Sequence, residues 1–459
     1  MKLYFYIISI IVIGICSSSL SAQQAYPAAY DSIAQKIATT ALMENRAYGM
    51  LADLCTNVGA RIAGSPQAAK AVAWATKKMQ DLGFQNVHTE PVMVPHWIRG
   101  HEEGSYSVDR KKKVSLHLCA LGGSIGTSKN GIRAEVVQIK SWEELKAQGE
   151  HVKGKIVFFN RPMDRSIYHT GTAYGLAVDQ RGHGATEAAR YGAVAVLVRS
   201  MSTRLDNVPH TGQMVYDSTV TKIPAAAIST NDADVLDKEI SQKKSVVVSL
   251  NLGCRMLPDV ESANVIGEIT GSELPREVLL VGAHLDSWDK GQGAQDDGAG
   301  VAHTLEMLRL MKELNLHPKR TIRVVLFMNE ENGLSGGFAY ANMRRPQEKL
   351  IGAIETDNGG FSPRGFGVTD TIVLSRLIRF APLLNSIGAD KIVRGHSGSD
   401  LYPLELQHVP TIGLQVDMQR YFDYHHSDSD VLATVNEREL ALGAAALAIL
   451  SYAIAQEGI

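Results

Sequence analysis

Cysteine is scarce in this sequence, and none of it stands in a pattern that binds metal through thiolates. The 459 residues include four cysteines, with no CxxC motif and no cluster of cysteine with histidine. A thiolate zinc site is therefore excluded, and a cysteine nucleophile gains no support. Beyond the N-terminal segment, Cys55, Cys119 and Cys254 remain, and the sequence is compatible with one disulfide or with three buried thiols.

An excess of charge of one sign is also lacking. Lysine and arginine total 46 against 48 aspartates and glutamates, which leaves a net charge of −2. This balance argues against a nucleic-acid partner, because such binding normally requires a strongly basic face. The composition, 45% hydrophobic and 20% charged, is that of a globular protein and excludes disorder, collagen and coiled coil. The length predicts two or three domains.

No apolar run is long enough to cross a membrane, and the most apolar one lies at the N-terminus. Leu3 to Ile15 is almost wholly apolar and is followed by small residues. A membrane-spanning helix needs ~20 such residues, so we predict no integral span. We predict instead a signal peptide over residues 1–22 and export, either secreted or periplasmic. A lipid anchor at Cys16 is disfavoured, because the bulky Ile15 precedes it.

Elements predicted from periodicity divide the rest of the chain into two units. Short β-branched strands alternate with helices from about 131 to 251, which is typical of a self-contained α/β domain. We predict that this domain is inserted into a larger one formed by residues 23–130 and 252–459. Within the larger one, residues 31–58 have helical periodicity.

The C-terminal part alternates buried strands with helices. Continuous apolar runs at 278–283, 322–328 and 350–354 suit strands that are buried on both faces. An amphipathic helix that begins near Val301 separates the first two, and a helix near 335–348 separates the next two. This βαβαβ order predicts a mostly parallel mixed sheet flanked by helices, in an α/β fold.

Polar residues follow these strands where each one ends. They are His284 and Asp286, the pair Asp296-Asp297, the pair Glu330-Glu331, then Asp357, and finally His425-His426 after a fourth apolar run. Parallel sheets bind ligands at the carboxyl ends of their strands, so we expect these residues to converge. Carboxylates gathered in one crevice repel one another and require cations. Nitrogen and oxygen ligands without thiolates suit zinc or a similar divalent ion, and the number of acids suits two ions.

These motifs resemble those of the co-catalytic zinc aminopeptidase and glutamate carboxypeptidase superfamily. The resemblance is carried by His284-Leu285-Asp286-Ser287-Trp288, Asp296-Asp297-Gly298-Ala299-Gly300, Glu330-Glu331, Asp357 and His426-x-x-x-Asp430. It extends to residues 95–100 and 209–212, and the unit near 131–251 is similar to the protease-associated domain of that superfamily. Nearly the whole mature chain is covered.

The resemblance implies a role for each residue. The implied metal ligands are His284, Asp296, Glu331, Asp357 and His426. Asp296 would bridge two Zn²⁺ ions, and Glu330 would act as general base and then general acid toward a water between them. Asp286 would fix the imidazole tautomer of His284, and Asp297 would hold the turn after Asp296. The implied protein is a homodimeric exopeptidase acting on dipeptides or on terminal residues of short peptides.

Three further residues are candidate substrate contacts. The spacing to Asp430 favours His426 over His425 as the ligand, which leaves His425 to contact the tetrahedral oxyanion or to pack. His210 lies in a Pro-His-Thr-Gly loop that reaches the cleft or forms a structural turn. Asp400 is a candidate for lining the substrate pocket.

Two other functions remain open at this point. One is a glutaminyl-cyclase-like acyltransferase, which would hold a single zinc ion, and the other is a receptor-like binding protein on the same fold. The complete ligand set disfavours both. A covalent mechanism through Ser287 is disfavoured, because the serine lacks a nucleophile-elbow context. The direction of cleavage, from the amino or the carboxyl end, is not determined.

Overall fold

The computed structural model describes residues 26–109 and 111–459. The predicted signal peptide and Cys16 lie outside the described residues. The helices are α1 (Ala29–Glu44), α2 (Arg46–Asn57), α3 (Pro66–Asp81), α4 (Trp142–Gln148), α5 (Thr170–Gly175), α6 (Asp179–Arg190), α7 (Thr230–Ser241), α8 (Ala299–Glu313), α9 (Ser335–Asn342), α10 (Thr371–Leu377), α11 (Tyr402–Glu405) and α12 (Glu437–Glu457). The strands are β1 (Gln85–Ile98), β2 (Glu102–Val108), β3 (Val114–Ser115), β4 (Leu118–Ala120), β5 (Ile132–Ile139), β6 (Ile156–Phe159), β7 (Ala195–Arg199), β8 (Ala225–Ile228), β9 (Val246–Leu252), β10 (Arg255–Ile269), β11 (Leu274–His284), β12 (Arg320–Phe327), β13 (Lys349–Glu355), β14 (Pro363–Val368), β15 (Lys391–Arg394) and β16 (Thr411–Val416).

One sheet is formed mainly by the C-terminal half of the chain. Its strand order is β1-β10-β12-β11-β13-β16-β14-β15. The four central strands, β12, β11, β13 and β16, run parallel to one another. β1, β10 and the β14–β16 pair are antiparallel. The predicted fold class, an α/β fold with a mostly parallel mixed sheet flanked by helices, is confirmed.

The central strands are apolar along their length because both faces of the sheet are covered. Successive side chains of a strand point to opposite faces. In β11, Leu279 packs in the cluster that contains Leu305 of α8 and Leu447 of α12. Its neighbour Leu280 packs instead with Tyr340 of α9 and with α11. Helices on both faces leave the strand ends as the accessible part of the sheet.

The last helix, α12, corrects the reading that no stretch beyond the N-terminus is apolar enough to cross a membrane. Within the described residues it alone is long and apolar enough for such a span. Its apolar character has another physical reason, since 89% of its most apolar 18-residue stretch is buried inside the fold. α12 packs against α1 and α8 and beneath the sheet, where apolar residues on every side are expected of a core helix.

A second sheet has the strand order β3-β2-β9-β5-β6-β7-β8-β4. Strands β5 to β8 are parallel, and α6 packs against β7. Its strands come from residues 102–252, so the sheet begins before residue 131. We propose that the inserted domain starts near Glu102 rather than near 131; its independence as a domain stays a prediction.

The three cysteines of the described chain are free and buried. Of the two arrangements that the sequence allowed, the structure has three thiols. Burial raises the pKa of Cys55 and of Cys119 to about 12, against the opposing charges of Arg61 and Arg99 respectively. Neutral buried thiols are unreactive, so these residues pack as small apolar groups.

Candidate metal centre

The predicted site residues meet at the carboxyl ends of the four parallel strands. His284 is the last residue of β11, and the Glu330-Glu331 pair follows β12. Asp357 follows β13, and His426 lies in the loop region after β16. Adjacent parallel strands end at the same edge of a sheet, which is why residues distant in the chain converge there.

Asp296 lies between two groups of ligand-type side chains. Its Oδ1 is 3.2 Å from Nε2 of His284, and that nitrogen is 3.5 Å from Oδ1 of Asp357. Its Oδ2 is 3.3 Å from Nε2 of His426, and that nitrogen is 3.0 Å from Oε2 of Glu331. Each carboxylate oxygen of Asp296 therefore faces a different histidine–carboxylate pair.

These atoms converge without forming hydrogen bonds that would account for their burial. Nε2 of His284 and Oδ2 of Asp296 are buried and have no hydrogen-bond partner in the described part of the chain. Buried polar atoms are normally paired, so two unpaired ligand-type atoms within this cluster are suited to bind cations. The ligand atoms are imidazole nitrogens and carboxylate oxygens, which is the set that zinc prefers when thiolates are absent. The residues therefore fit the implied metal.

The charges in the cluster require a counter-charge as well. Burial raises the pKa of Glu331 well above its usual range, and the charges of Asp296 and Glu330 raise it further. Burial would also raise the pKa of Asp296, but the imidazoles of His284 and His426 outweigh it and hold that pKa well below its usual range. A divalent cation would stabilise all of these carboxylates in the ionised form.

Asp286 is placed differently from the expectation. The Nδ1 of His284 lies 3.1 Å from the main-chain oxygen of Asp286, not from its carboxylate. The carboxylate turns the other way and accepts hydrogen bonds from the main-chain N–H groups of Asn329 (2.7 Å) and Glu330 (3.1 Å). Asp286 therefore orients the histidine through its backbone and holds the glutamate loop through its side chain.

Asp297 lies where a residue that holds the turn is expected. Its Oδ2 accepts a hydrogen bond from the main-chain N–H of His284 at 3.2 Å, and its Oδ1 accepts one from Gly300 at 3.0 Å. The second bond anchors the first turn of α8. Asp297 thus joins the end of β11 to the start of the helix, and Asp296 is positioned between them.

Glu330 lines the cleft beside the ligand cluster, and its pKa is raised above that of an ordinary glutamate. Burial, together with the charges of Asp357 and Asp296, raises the pKa of Glu330 to about 7 against the opposing imidazole of His284. A carboxyl group with that pKa exchanges protons readily near neutral pH.

The three predicted substrate contacts are not equivalent. His425 lies on the cleft wall, with its ring stacked on that of His426 at 3.4 Å and its Nε2 3.6 Å from Oδ2 of Asp296. His210 is buried behind the wall, where its Nδ1 lies 2.7 Å from the main-chain oxygen of His425. Asp400 is fully buried beneath the cleft, and neither of its carboxylate oxygens has a partner among the described residues.

Comparison with known proteins identifies the family. Residues 264–451 match the model of peptidase family M28. Carboxypeptidase Q of Bos taurus is 37% identical over 417 residues, which cover 90% of this chain and 86% of the bovine protein. The chain belongs to peptidase family M28. The human carboxypeptidase Q is also 37% identical to this M28 peptidase, over 90% of the chain and 86% of the human protein.

Solved structures agree with the family assignment. A crystal structure of a peptidase M28 precursor from Shewanella amazonensis matches with a TM-score of 0.90 and 37% identity, covering 94% of this chain and 98% of that chain. The zinc aminopeptidase of Bacillus subtilis matches with a TM-score of 0.63 at 20% identity, over 88% and 93% of the two chains, and shows the fold alone. The predicted enzyme class, a zinc metallopeptidase, is confirmed.

Two residues that support the M28 site have a role that the sequence did not indicate. Arg61 is fully buried, and its guanidinium donates hydrogen bonds to the main-chain oxygens of Leu285 (2.6 Å) and Gly293 (3.0 Å). Asp430 accepts hydrogen bonds from the main-chain N–H groups of Gln295 (2.6 Å) and Asp296 (3.2 Å). Both hold the backbone around the ligands, and no periodic pattern reveals such a contact.

The cleft of this M28 peptidase has a volume of about 290 Å³. Its floor is formed by the ligand cluster, and part of its wall comes from the second sheet's unit, through Tyr174, Arg181 and Gln213. The unit is fixed against the first sheet by a bridge between His210 and Ser427 and by the hydrogen bond from Thr170 to the main-chain oxygen of Met418. The cleft is therefore lined by residues of both units.

Proposed function

We propose that this M28 peptidase is a di-zinc exopeptidase that hydrolyses dipeptides or removes terminal residues from short peptides. The observation that carries the proposal is the position of Asp296, which presents one carboxylate oxygen to each of two histidine–carboxylate pairs. A single carboxylate in that position is suited to bridge two cations. A one-ion site would need no second histidine–carboxylate pair on the other oxygen of Asp296.

Each ion has a set of residues to hold it. His284, Asp296 and Asp357 would hold one, and Asp296, Glu331 and His426 would hold the other. Zinc bound there supplies Lewis acidity at the scissile carbonyl and an acidified water as nucleophile. Both sets of residues are held in place because they follow adjacent strands of the same sheet.

Glu330 performs the proton transfers. It stands beside the ligands, and its carboxylate accepts a proton from the attacking water. The same group then donates that proton to the nitrogen of the leaving amine. Its place on the cleft wall beside Asp296, Glu331 and His426 supports both steps.

The dimensions of the cleft support a small substrate. Its volume of about 290 Å³ is at the lower end of the ~300–1,000 Å³ typical of small-molecule sites. A folded polypeptide does not fit into such a space, whereas a dipeptide or the end of a short peptide does.

We also propose that the protein is exported by residues 1–22 and forms a homodimer. Size-exclusion chromatography with light scattering tests the dimer.

The test is a cleavage panel. Zinc-loaded protein is mixed with unblocked dipeptides, with peptides blocked at both ends, and with each substrate after chelation. We expect chelator-sensitive cleavage of unblocked peptides only. Absence of any metal-dependent cleavage would reject the proposal, and one tightly held zinc with pyroglutamate formation would favour the cyclase instead.

A further inference from the structure

His426 differs from the other candidate ligands in its backbone conformation. It lies in a turn, and its φ of 59° is in the left-handed region. A residue other than glycine keeps that conformation only where surrounding contacts over-determine it. His284, by contrast, ends a strand and pairs with Phe327 of the neighbouring strand. The conformation of His426 therefore depends on contacts other than strand pairing.

One loop of the second sheet's unit, here called the His210 loop, bonds to this turn at two points. Nδ1 of His210 lies 2.7 Å from the main-chain oxygen of His425. The main-chain N–H of Thr211 donates to the main-chain oxygen of His426 at 2.9 Å. The second bond belongs to an antiparallel bridge between His210 and Ser427. The second sheet's unit thus holds the main chain of the ligand itself and of the residue before it.

The imidazole of His210 donates in the first of these contacts. A main-chain oxygen only accepts hydrogen bonds, so Nδ1 carries the proton. The side chain is 1% exposed, and its Nε2 has no hydrogen-bond partner among the described residues. Burial of an imidazole with an unpaired nitrogen costs free energy that an apolar side chain would not cost. The bond from Nδ1 to the turn is the contact that offsets this cost.

The His210 loop is itself attached to the second sheet. The main-chain N–H of His210 donates to Oγ of Ser200 at 2.9 Å, and that Oγ donates to the main-chain oxygen of Ile228, in β8, at 2.7 Å. Oγ1 of Thr211 donates to the main-chain oxygen of Ala120, in β4, at 2.8 Å. The position of the loop is therefore set by strands of the second sheet.

The other ligand set is positioned by the first sheet. The main-chain N–H of His284 donates to Oδ2 of Asp297, which also anchors the first turn of α8. Asp357 follows β13, and the N–H of the preceding Thr356 donates to the main-chain oxygen of Gly282, in β11, at 3.1 Å. The two ligand sets therefore depend on different parts of the molecule.

We propose that His210 is a positioning residue that holds His426 where the second ligand set, Asp296, Glu331 and His426, binds its cation. The inference rests on the proposed di-zinc function and adds that one of the two sites depends on the second sheet's unit. His210 acts through the main-chain oxygen of His425 and does not contact the substrate. Without this bond the turn relaxes, and the imidazole of His426 leaves its place 3.0 Å from Glu331.

The first test counts zinc ions per chain. The wild type, His210→Ala, His210→Asn and the control His183→Ala are dialysed against one zinc buffer that just fills the wild-type sites, and are analysed by atomic emission. His183 is exposed on α6 of the same unit. Loss of a supporting group weakens zinc affinity roughly 10–100-fold, so we expect His210→Ala to hold about one ion fewer than the wild type and the control. His210→Asn should keep the wild-type content, because its amide nitrogen donates from the position of Nδ1.

Two ligand variants identify which site is affected. His426→Ala removes a ligand of the second set, and Asp357→Ala removes one of the first set. Adding His210→Ala to His426→Ala should not lower the zinc content further, whereas adding it to Asp357→Ala should remove the remaining ion. The opposite pattern would overturn the inference.

A further measurement needs no bound zinc. Hydrogen exchange of the main-chain amides of residues 424–430 is followed by mass spectrometry in chelator. We expect exchange roughly fivefold faster in His210→Ala than in the wild type, and the wild-type rate in His210→Asn and His183→Ala. Equal rates in all four proteins, or an equal increase in His210→Asn and His210→Ala, would overturn the inference.

The two proposals fail in different ways. A wild type that holds fewer than two zinc ions contradicts the di-zinc function, and the exchange rates in chelator still decide the role of His210. Thermal melting of each variant checks that it is folded.

Discussion

At the scale of single residues, two adjacent glutamates have different surroundings. Glu331 accepts a hydrogen bond from the main-chain N–H of Trp288 at 3.0 Å through Oε1, while its Oε2 lies 3.0 Å from His426. Glu330 lines the cleft and carries a pKa of about 7, raised mainly by burial. Both residues lie in the turn that follows β12, where one carboxylate faces the cleft while its neighbour is held in the ligand cluster.

Replacement of Glu330 by glutamine tests this division. The amide keeps the shape but cannot take up a proton, so we expect kcat to fall by roughly 10²–10⁴-fold. Zinc content, measured by atomic emission on the dialysed variant, should equal that of the wild type. Near-normal turnover would assign the base to another residue, and loss of metal would mean that Glu330 helps to hold the zinc.

Asp286 provides a second prediction at this scale. Its carboxylate accepts hydrogen bonds from the main-chain N–H groups of Asn329, Glu330 and Glu331, so it supports the candidate ligand Glu331 through the backbone. Asp286→Ala should therefore weaken zinc affinity by roughly 10–100-fold, as removal of supporting groups does in other metal sites. Competition with a fluorescent chelator measures this affinity. An unchanged affinity would mean that the loop keeps its position without Asp286.

The convergence of the candidate ligand residues could be predicted from the sequence, and so could the supporting residues Asp286 and Asp297, but the support from Arg61 could not. His284 and Asp357 directly follow apolar strands, so strand order alone brings them to one edge. Arg61 follows no apolar strand and has no such pattern around it, because its guanidinium contacts the main chain at Leu285, far away in the sequence. Contacts of that kind depend on how the loops fold back, which periodicity does not encode.

At the scale of elements, helix α8 shows how burial changes a predicted pattern. The sequence indicated one apolar stripe beginning near Val301, but every residue from Ala299 to Met311 is buried. The polar residues on it are paired, as in the bond of 2.7 Å from Nε of Arg309 to Glu306. The helix is enclosed because α12 and α2 cover the side that faces away from the sheet.

The histidine on α8 predicts a pH dependence of stability. Burial lowers the pKa of His303 from 6.5 to about 4, and its Nδ1 lies 3.0 Å from Oγ1 of Thr356. Between pH 6.5 and 4 the unfolded chain binds a proton that the folded chain does not, so the free energy of unfolding falls as the pH is lowered. The contribution of this group is about 3 kcal/mol.

His303→Asn removes that titration. Denaturant unfolding of both proteins in chelator is measured from pH 7 to 4, so that loss of metal affects both alike. The wild type should lose about 3 kcal/mol more than the variant over this range. Parallel curves would contradict the neutral buried state of His303.

Element boundaries were less predictable than element types. The helical periodicity over 31–58 is interrupted at Asn45, which adopts a left-handed φ of 47° between α1 and α2. The helix predicted near 335–348 ends at Asn342. The long strand β10 was not predicted, because much of it is half-exposed and lacks a continuous apolar run.

At the scale of the whole molecule, the candidate metal centre brings distant parts of the chain into contact. Its ligands follow four different strands, and the loop of His426 also contacts the second sheet's unit through Thr211, whose N–H donates to the main-chain oxygen of His426 at 2.9 Å. Metal binding is therefore linked to the stability of the folded chain.

Removal of zinc should destabilise the protein globally. A ligand that binds only the folded state stabilises it by about 4 kcal/mol at a thousandfold excess over its Kd. We expect Tm in a scanning calorimeter to fall on chelation and to rise again with added zinc. A Tm that does not respond to zinc would mean that zinc does not stabilise the folded chain through these residues.

Zinc content per chain tests the central claim, that Asp296 bridges two ions, most directly. Protein purified in zinc and dialysed against metal-free buffer is analysed by atomic emission, beside Asp296→Ala prepared in the same way. The account predicts two zinc ions per wild-type chain and fewer than one in the variant. One ion per wild-type chain, or none, would contradict it.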